Sequence, residues 1–129
     1  MAQKMIEGGL PAGRVEVLPG FVDTDSWTPS GGAGDYVLYS GWLSPEKGVQ
    51  SLIRAMAMRP DIPLKVAGIG RYENDLRSLA REVGAANVDF IVFRKAEDII
   101  RLVQESRFVC VPSEWHESSP MSVLEAFAC

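Results

Sequence analysis

Short apolar segments alternate with amphipathic segments along most of the chain, and this alternation restricts its possible folds more than any other feature. Four segments rich in β-branched and aromatic residues are typical of buried strands: residues 36–41, 64–67, 88–93 and 108–112. Apolar residues at helical spacing predict helices at residues 46–59, 71–83, 96–105 and 120–129. This order predicts an α/β fold, a doubly wound, Rossmann-like parallel sheet with helices on both faces.

The domain organisation is simple. Residues 1–13 are rich in glycine and weakly patterned, so we expect a loose leader there. Residues 14–19 (RVEVLP) predict one more short strand, ended by Pro19 and Gly20. A chain of 129 residues is long enough for one domain with its own core, which we place at residues 14–129.

Composition excludes several classes of protein. The formal net charge is −4 and no basic stripe is present, so we expect no nucleic-acid partner. No apolar run approaches the roughly 18 residues that a membrane span needs, and the N-terminus lacks a signal-peptide pattern. Cys110 and Cys129 form neither a CxxC pair nor a disulfide framework, which favours a reducing, cytoplasmic setting.

Ligands of such sheets bind beyond the carboxyl ends of the strands, so the loops that follow strands are the places to search. The loop after the first predicted strand of the alternating set reads GWLSPEKG and places Lys47 at the predicted start of a helix. A lysine there opposes the helix dipole, which makes sense if both share an anion such as a diphosphate. The alternative is an exposed lysine beside Glu46.

A second loop contains Gly68 and Gly70 in the sequence GIG. Glycines at a strand–helix turn allow a ligand to approach backbone amides closely. The third glycine of a dinucleotide fingerprint is absent, and tight-turn geometry alone also accounts for the pair.

The loop before the last helix carries the strongest signal. Ser119 is suited to the N-cap and Pro120 to the first helical position, which would leave the amides of Met121 and Ser122 open to an oxygen-rich ligand.

Two glutamates belong to the same region. Glu117 precedes the helix, and Glu125 lies within it beside the apolar stripe that includes Leu124. A carboxylate beside that stripe needs hydrogen-bond donors, which the hydroxyls of a ligand would supply. Two ordinary surface glutamates are the alternative.

Acidic and imidazole side chains do not predict a metal site. Asp23 and Asp25 form a D-x-D, but they lie beside a turn, and turn formation or capping is the favoured interpretation. His116 is the single histidine of the chain, so a site built from several histidines is excluded.

Taken in order, these segments resemble the C-terminal domain of group 1 (family 4) glycosyltransferases, which have the GT-B architecture. The resemblance covers nearly all of the chain beyond the first dozen residues. Its most specific elements are the E-x7-E of Glu117 and Glu125 and the GxxxPEKG of residues 41–48. Four ordered matches on the predicted fold favour the functional interpretation of each loop over its structural alternative.

The resemblance implies a role for each matching residue. Lys47 would bind the diphosphate of a nucleotide-sugar donor, Glu117 would hold sugar hydroxyls near the reacting carbon, and Glu125 would bind the ribose hydroxyls. Lys47 and Glu117 are therefore the expected catalytic residues. The implied substrate-binding set is Gly41, Trp42, Lys47, Gly68, Gly70, Arg71, Glu117, Ser118, Ser119, Pro120, Met121, Ser122 and Glu125.

Some positions depart from the family pattern. The arginine that usually precedes the EKG lysine is replaced by Trp42, which removes one cation, and Arg71 is a candidate to compensate. Val92 stands where glycine is common, and the sequence ESSP replaces the commoner EGFG.

The resemblance implies a retaining transferase that uses no cofactor and no essential metal. Its N-terminal domain, which would carry the acceptor site, is absent from these 129 residues. We also expect the donor-binding domain to be incomplete at its C-terminus, because the family pattern continues after AFAC into a glycine, another strand and further helices. We therefore expect the chain by itself to bind donor weakly and not to catalyse transfer. An exposed sheet edge would permit self-association, and membrane contact is not encoded here.

Two other classes of function remain for comparison. One is a non-catalytic nucleotide-binding module that acts with a partner chain. The other is a flavodoxin-like or response-regulator-like signalling fold. Such a fold would require an acidic cluster or a phosphate loop after the first strand, and the sequence shows neither. The residues do not specify the base, the sugar or the acceptor.

Overall fold

A computed structural model describes residues 2–29, 34–93, 95–117 and 119–129. Within these residues the strands are β1 (Val37–Trp42), β2 (Leu64–Ile69), β3 (Val88–Ile91) and β4 (Phe108–Val109). The helices are α1 (Ala2–Glu7), α2 (Val49–Ala57), α3 (Glu73–Glu82), α4 (Ala96–Gln104) and α5 (Met121–Ala128). Short 3-10 turns cover Ala12–Arg14 and Pro45–Lys47. None of the helices in these residues is long and apolar enough to cross a bilayer.

The four described strands form one parallel sheet in the order β3-β2-β1-β4. The chain goes outward from β1 through β2 to β3, then returns to place β4 on the other side of β1. The strand order therefore reverses between β1 and β4. This arrangement confirms the predicted doubly wound parallel sheet.

Two apolar clusters cover the two faces of the sheet, as the alternation of side chains along a strand requires. Val37 and Tyr39 of β1 belong to the cluster formed with α2 and α3, whereas Leu38 belongs to the cluster formed with α4 and α5. Ile53 of α2 and Leu76 of α3 are fully buried. Removing side chains of this size from water stabilises the fold by roughly 1.5–3 kcal/mol each.

The predicted strand at residues 14–19 is wrong. The 3-10 turn reaches Arg14, and residues 15–20 have no regular structure. Val17 and Leu18 are 68% and 83% exposed. This segment therefore does not pack its apolar side chains as a strand of the sheet would. The leader contains α1, a six-residue helix without buried residues, which the sequence did not predict.

The helix predicted from residue 46 begins later, because Gly48 adopts a left-handed conformation with φ of 68°. Lys47 therefore lies in the 3-10 turn that precedes α2 and not in the first turn of the helix. A side chain at Gly48 would collide with the carbonyl of Pro112, so glycine also permits the close approach of the segment after β4.

Two of the other boundary differences affect predicted site residues. Strand β2 continues through Gly68 to Ile69, so the first glycine of GIG pairs with Gly41 inside the sheet. Helix α5 begins at Met121 with Pro120 at the N-cap, one residue later than predicted, and Ser119 lies outside the cap.

Candidate functional site

A cavity of about 380 Å³ opens at the carboxyl ends of β1 and β4. The strand order reverses between these two strands, and reversal points are where sheets of this type leave a crevice for ligands. The loops after β1 and β4 and the start of α5 form its walls. Nine residues of the predicted set line it: Gly41, Trp42, Lys47, Glu117, Ser119, Pro120, Met121, Ser122 and Glu125.

An ion pair joins two of the predicted residues inside the cavity. Lys47 Nζ lies 2.6 Å from Glu117 Oε1, and Ser113 Oγ donates a hydrogen bond to the same oxygen at 2.7 Å. The Lys47 contact, followed by the Ser113 hydrogen bond, holds the pKa of Glu117 below its ordinary value. Both side chains remain partly exposed, so a ligand entering the cavity can reach the pair.

The loop after β4 is held against the turn that precedes α2. The backbone amide of Glu114 donates to the carbonyl of Glu46 at 2.9 Å, and Ser51 Oγ donates to Glu114 Oε1 at 2.7 Å. Because Pro112 also packs closely on Gly48, the segments that carry Lys47 and Glu117 are fixed to one another by several independent contacts.

Glu125 occupies a different environment. It is partly buried on α5, and burial raises the pKa of its carboxyl group. No hydrogen bond or ion pair joins its carboxylate to another residue that the structure describes. A carboxylate that has lost water without gaining a protein donor is well suited to accept hydrogen bonds from ligand hydroxyls.

The start of α5 contributes backbone donors to the same cavity. Met121 and Ser122 are the first two residues of the helix, and amides at those positions have no acceptor within a helix. The residue before them is Pro120, which carries no amide hydrogen. Donors and a helix dipole at this end favour an anion or an oxygen-rich ligand.

Gly68 and Gly70 do not line the cavity. A side chain at Gly68 would collide with the carbonyl of Gly41, and one at Gly70 would collide with the backbone of Leu43. Leu43 is almost completely buried. These glycines therefore allow the end of β2 to pack against the loop that follows β1, which is the tight-geometry alternative that the sequence left open.

Trp42 and Arg71 both line a neighbouring depression of about 540 Å³, together with Tyr72 and Asp75. Trp42 is 54% exposed and borders both this depression and the main cavity. Arg71 lines the depression but not the cavity that contains Lys47. Among the described residues, Lys47 is the one basic side chain that lines the main cavity.

The model of the family described as "Glycosyl transferases group 1" matches residues 28–129. The chain belongs to this family. Solved structures of the family share the fold of this glycosyltransferase chain. The C-terminal domain of a glycosyl transferase group 1 family protein from Francisella tularensis matches 83% of the chain and 66% of its own length, with a TM-score of 0.72 at 22% identity. The four-stranded sheet is thus the Rossmann-like sheet of a GT-B C-terminal domain.

Curated relatives are glycosyltransferases of greater length. A GDP-mannose-dependent monoacylated alpha-(1-6)-phosphatidylinositol monomannoside mannosyltransferase from Corynebacterium glutamicum is 37% identical over 97 residues, 67% of this chain and 25% of the relative. A D-inositol 3-phosphate glycosyltransferase from Mycobacterium sp. (strain KMS) is 31% identical over 134 residues, 90% of this chain and 30% of the relative. This member of the family therefore spans 25% to 30% of the length of these relatives.

The remaining predicted residues have structural explanations or fall outside the description. Asp23 accepts hydrogen bonds from the amide of Asp25 at 3.1 Å and from Ser26 Oγ at 2.6 Å, which confirms its predicted role in a turn. His116 is exposed. Among the residues that the structure describes, no cluster of three or more His, Cys, Asp or Glu side chains could hold a metal. Ser118 lies outside the described residues.

Sequence reasoning missed five residues of the cavity: Tyr39, Ser40, Ile99, Val111 and Ser113. Tyr39 is buried, and its hydroxyl donates to the carbonyl of Trp42 at 2.7 Å, so it closes the end of β1. Burial, followed by the charge of Glu117, raises the pKa of Tyr39 and keeps its hydroxyl neutral. The position of Ser113, four residues before Glu117 and just after β4, was the available signal for the last of the five.

Proposed function

We propose that the cavity binds the nucleoside diphosphate sugar donor of a retaining glycosyltransferase, which transfers the sugar to an acceptor. The observation that carries the proposal is the convergence of Lys47, Glu117 and Glu125 on one cavity at the point where the strand order reverses. These residues come from the turn before α2, the loop after β4 and the middle of α5. The carboxyl ends of β1 and β4 bring these segments to one edge of the sheet, and the three charged side chains face the same cavity there.

The arrangement suits the parts of such a donor. Lys47 and the amides at the start of α5 would bind the diphosphate, since both supply positive potential. Glu117 would accept hydrogen bonds from the sugar, and its contact with Lys47 fits a ligand in which sugar and diphosphate are directly bonded. Glu125 would accept the ribose hydroxyls, which would restore the hydrogen bonds that its burial removes.

These groups also suggest how transfer is promoted. Negative charge develops on the diphosphate as its bond to the sugar breaks, and prearranged positive groups stabilise that charge. Lys47 and the start of α5 would supply this stabilisation without an essential metal or another cofactor. Glu117 would hold the sugar so that the carbon bonded to the diphosphate is open to the acceptor oxygen, which forms its new bond to that carbon as the bond to the diphosphate breaks.

The donor to test first is GDP-mannose, because the relative from Corynebacterium glutamicum is named as GDP-mannose-dependent. UDP-glucose and ADP-glucose are the comparison donors. The acceptor site is proposed to lie in the part of the full-length relatives that this chain does not span. On this view the 129 residues bind donor and do not transfer it, and they act in the cytoplasm, where Cys110 and Cys129 remain thiols.

The proposal is tested by isothermal titration calorimetry of the chain with the three donors, alongside transfer assays with radiolabelled sugar. We expect saturable binding of one donor without turnover. Loss of that binding in Glu125→Ala, with retention in Glu82→Ala as an exposed helix glutamate control outside the cavity, would support the assignment. Clear product formation by the 129 residues alone would contradict the proposal that they bind donor without transferring it. Equal donor binding by wild type and Glu125→Ala would contradict the assignment of this cavity as the donor site.

One observation favours the non-catalytic alternative, in which the chain binds a nucleotide and acts with a partner chain. Trp42 replaces a cation expected beside the diphosphate, and Arg71 lies outside the cavity. A module of this kind would bind a nucleoside diphosphate as tightly as the corresponding nucleotide sugar. A donor-binding domain would bind the sugar conjugate more tightly, because Glu117 adds contacts to the sugar.

A further inference from the structure

Ser113 belongs to none of the predicted functional motifs, yet its hydroxyl contacts the carboxylate at the centre of the cavity. Ser113 Oγ donates its single proton to Glu117 Oε1 at 2.7 Å, and Lys47 Nζ lies 2.6 Å from the same oxygen. Within the described residues no hydrogen bond reaches the other carboxylate oxygen, Oε2. Two donors thus hold one oxygen and leave the second one available to a ligand.

We infer that Ser113 is a positioning residue, which fixes the orientation of the Glu117 carboxylate so that it selects among sugars by the direction of their hydroxyl groups. The inference rests on the proposed function, in which Glu117 contacts the donor sugar. It adds a specificity-determining residue to that site.

The reason that Ser113 matters lies in the competing demand on Lys47. A diphosphate in the cavity would draw the Lys47 ammonium toward its own oxygens and weaken the ion pair with Glu117. Ser113 carries no charge and has already committed its proton, so it is not subject to that competition. In the donor-bound state Ser113 would therefore be the remaining donor to Oε1 among the described residues.

The backbone around Ser113 is firmly held, as a positioning residue requires. The amide of Cys110 donates to the carbonyl of Leu38 in the sheet at 2.8 Å. On the other side, the amide of Glu114 donates to the carbonyl of Glu46 at 2.9 Å. Ser113 is thus fixed on both sides, whereas Glu117 lies four residues farther along the loop and depends on its side-chain contacts for orientation.

The consequence for recognition is geometric. A carboxylate held in one orientation accepts hydrogen bonds from hydroxyls that approach in one direction, so it discriminates between epimers. A carboxylate that rotates freely accepts hydrogen bonds from either epimer. Loss of Ser113 should therefore weaken and broaden sugar recognition while leaving recognition of the nucleotide intact.

The test compares wild type with Ser113→Ala, with Ser113→Thr as the conservative rescue and Ser106→Ala as a control. The Ser106 hydroxyl donates to the carbonyl of Val103, away from the cavity. Calorimetry is performed with GDP, UDP and ADP and with GDP-mannose, GDP-glucose, UDP-glucose, UDP-galactose and ADP-glucose. Carbon-13 NMR titration of the Glu117 carboxyl group provides a readout that needs no ligand.

We expect Ser113→Ala to weaken binding of the preferred nucleotide sugar by about 10-fold, the effect expected from loss of a hydrogen bond to a charged group. The ratio of affinities for the two sugar epimers should become smaller. Binding of the free nucleoside diphosphate should stay within about 2-fold, and the pKa of Glu117 should rise, with Ser113→Thr restoring both readouts. If Ser113→Ala weakens binding of the nucleotide and of the nucleotide sugar equally, or leaves the pKa of Glu117 unchanged, the role of Ser113 is contradicted and the proposed function is not. Failure of wild type to bind every nucleotide and nucleotide sugar would overturn the proposed function and the inference together.

Discussion

Lys47 Nζ lies 2.6 Å from Glu117 Oε1, although the two residues are 70 positions apart in the sequence. The pair joins the turn before α2 to the loop after β4, and both side chains line the cavity. The one lysine among the described residues that line the cavity is thus held by a carboxylate. Under the proposed function a diphosphate would compete with Glu117 for this cation, so the ion pair would affect both the affinity and the geometry of donor binding.

Replacing Lys47 tests this relationship directly. Lys47→Met should weaken binding of a nucleoside diphosphate by about 10- to 100-fold, because it removes a charge-assisted contact of roughly 1.5–3 kcal/mol. It should also raise the pKa of Glu117, whose largest stabilising partner is lost. Lys47→Arg retains the charge and serves as the control. Calorimetry and carboxyl NMR measure the two effects, and nucleotide binding that is unaffected in Lys47→Met would contradict the role of the lysine.

The two glutamates should respond to pH with opposite signs. Contacts with Lys47 and Ser113 lower the folded-state pKa of Glu117, so its contribution to stability is present at neutral pH and is lost as the pH falls through that lowered value. Burial raises the folded-state pKa of Glu125, so the folded chain loses stability as the pH rises above the ordinary carboxyl range.

Glutamine substitutions at Glu117 and Glu125 test these opposite effects on stability. At pH 7, which is above the ordinary carboxyl range, Glu125→Gln should increase the free energy of unfolding by about 1 kcal/mol, whereas Glu117→Gln should decrease it. Below about pH 4, where Glu125 is protonated in the folded chain, the effect of Glu125→Gln should shrink toward zero. Urea denaturation at both pH values measures the changes. Destabilisation by Glu125→Gln at neutral pH would show that its carboxylate has a partner.

Gly70 provides a test of packing that does not involve the cavity. Gly70→Ala should lower the free energy of unfolding by about 2–3 kcal/mol, because its methyl group would collide with the backbone of buried Leu43. Gly13→Ala is the matched control, since no atom lies within 4 Å of a side chain placed there, and it should change stability by less than about 0.5 kcal/mol. Equal stability of the two variants would contradict the close packing of β2 against the loop after β1.

Trp42 offers a gain-of-function test. Trp42→Arg introduces a second cation at the edge of the cavity and should tighten nucleoside diphosphate binding by about 5-fold, the value expected of a partly exposed charge. The effect should decline as salt is added, because salt screens exposed charges. Trp42→Leu controls for loss of the indole ring. Tighter binding in both variants would show that the ring obstructs the site and that the added charge is not responsible.

The sheet could be predicted from the sequence because its strands and helices carry strong local patterns. Residues 36–41 and 64–67 are mostly apolar, and Leu52, Ile53 and Met56 recur at helical spacing. The error at residues 14–19 arose because an alternating segment becomes a strand only beside another strand, and local sequence does not specify that neighbour. The start of α2 was misplaced because Gly48 turns left-handed to accommodate Pro112, a contact between distant segments.

The candidate site was predictable in part for the same reason. The loops that carry Lys47, Glu117 and Glu125 could be located from strand ends, and the structure brings them to one cavity. The spacing of four residues between Ser113 and Glu117 was a signal, but the contact itself depends on the path of the loop after β4, which the spacing alone does not determine. Gly68 and Gly70 were ambiguous, because the same residue type serves close packing and ligand approach. Their contact with the segment at Leu43 favours packing in this chain.

The measurement that most directly tests donor binding is an amide NMR titration of the ¹⁵N-labelled chain with GDP, UDP and ADP. We predict saturable shifts with one of the three, concentrated at the ends of β1 and β4 and at the start of α5. These shifts should disappear in Lys47→Met and Glu125→Ala variants that retain a dispersed spectrum. A dispersed wild-type spectrum that none of the three nucleotides perturbs at millimolar concentration would contradict the assignment of this cavity as a donor site.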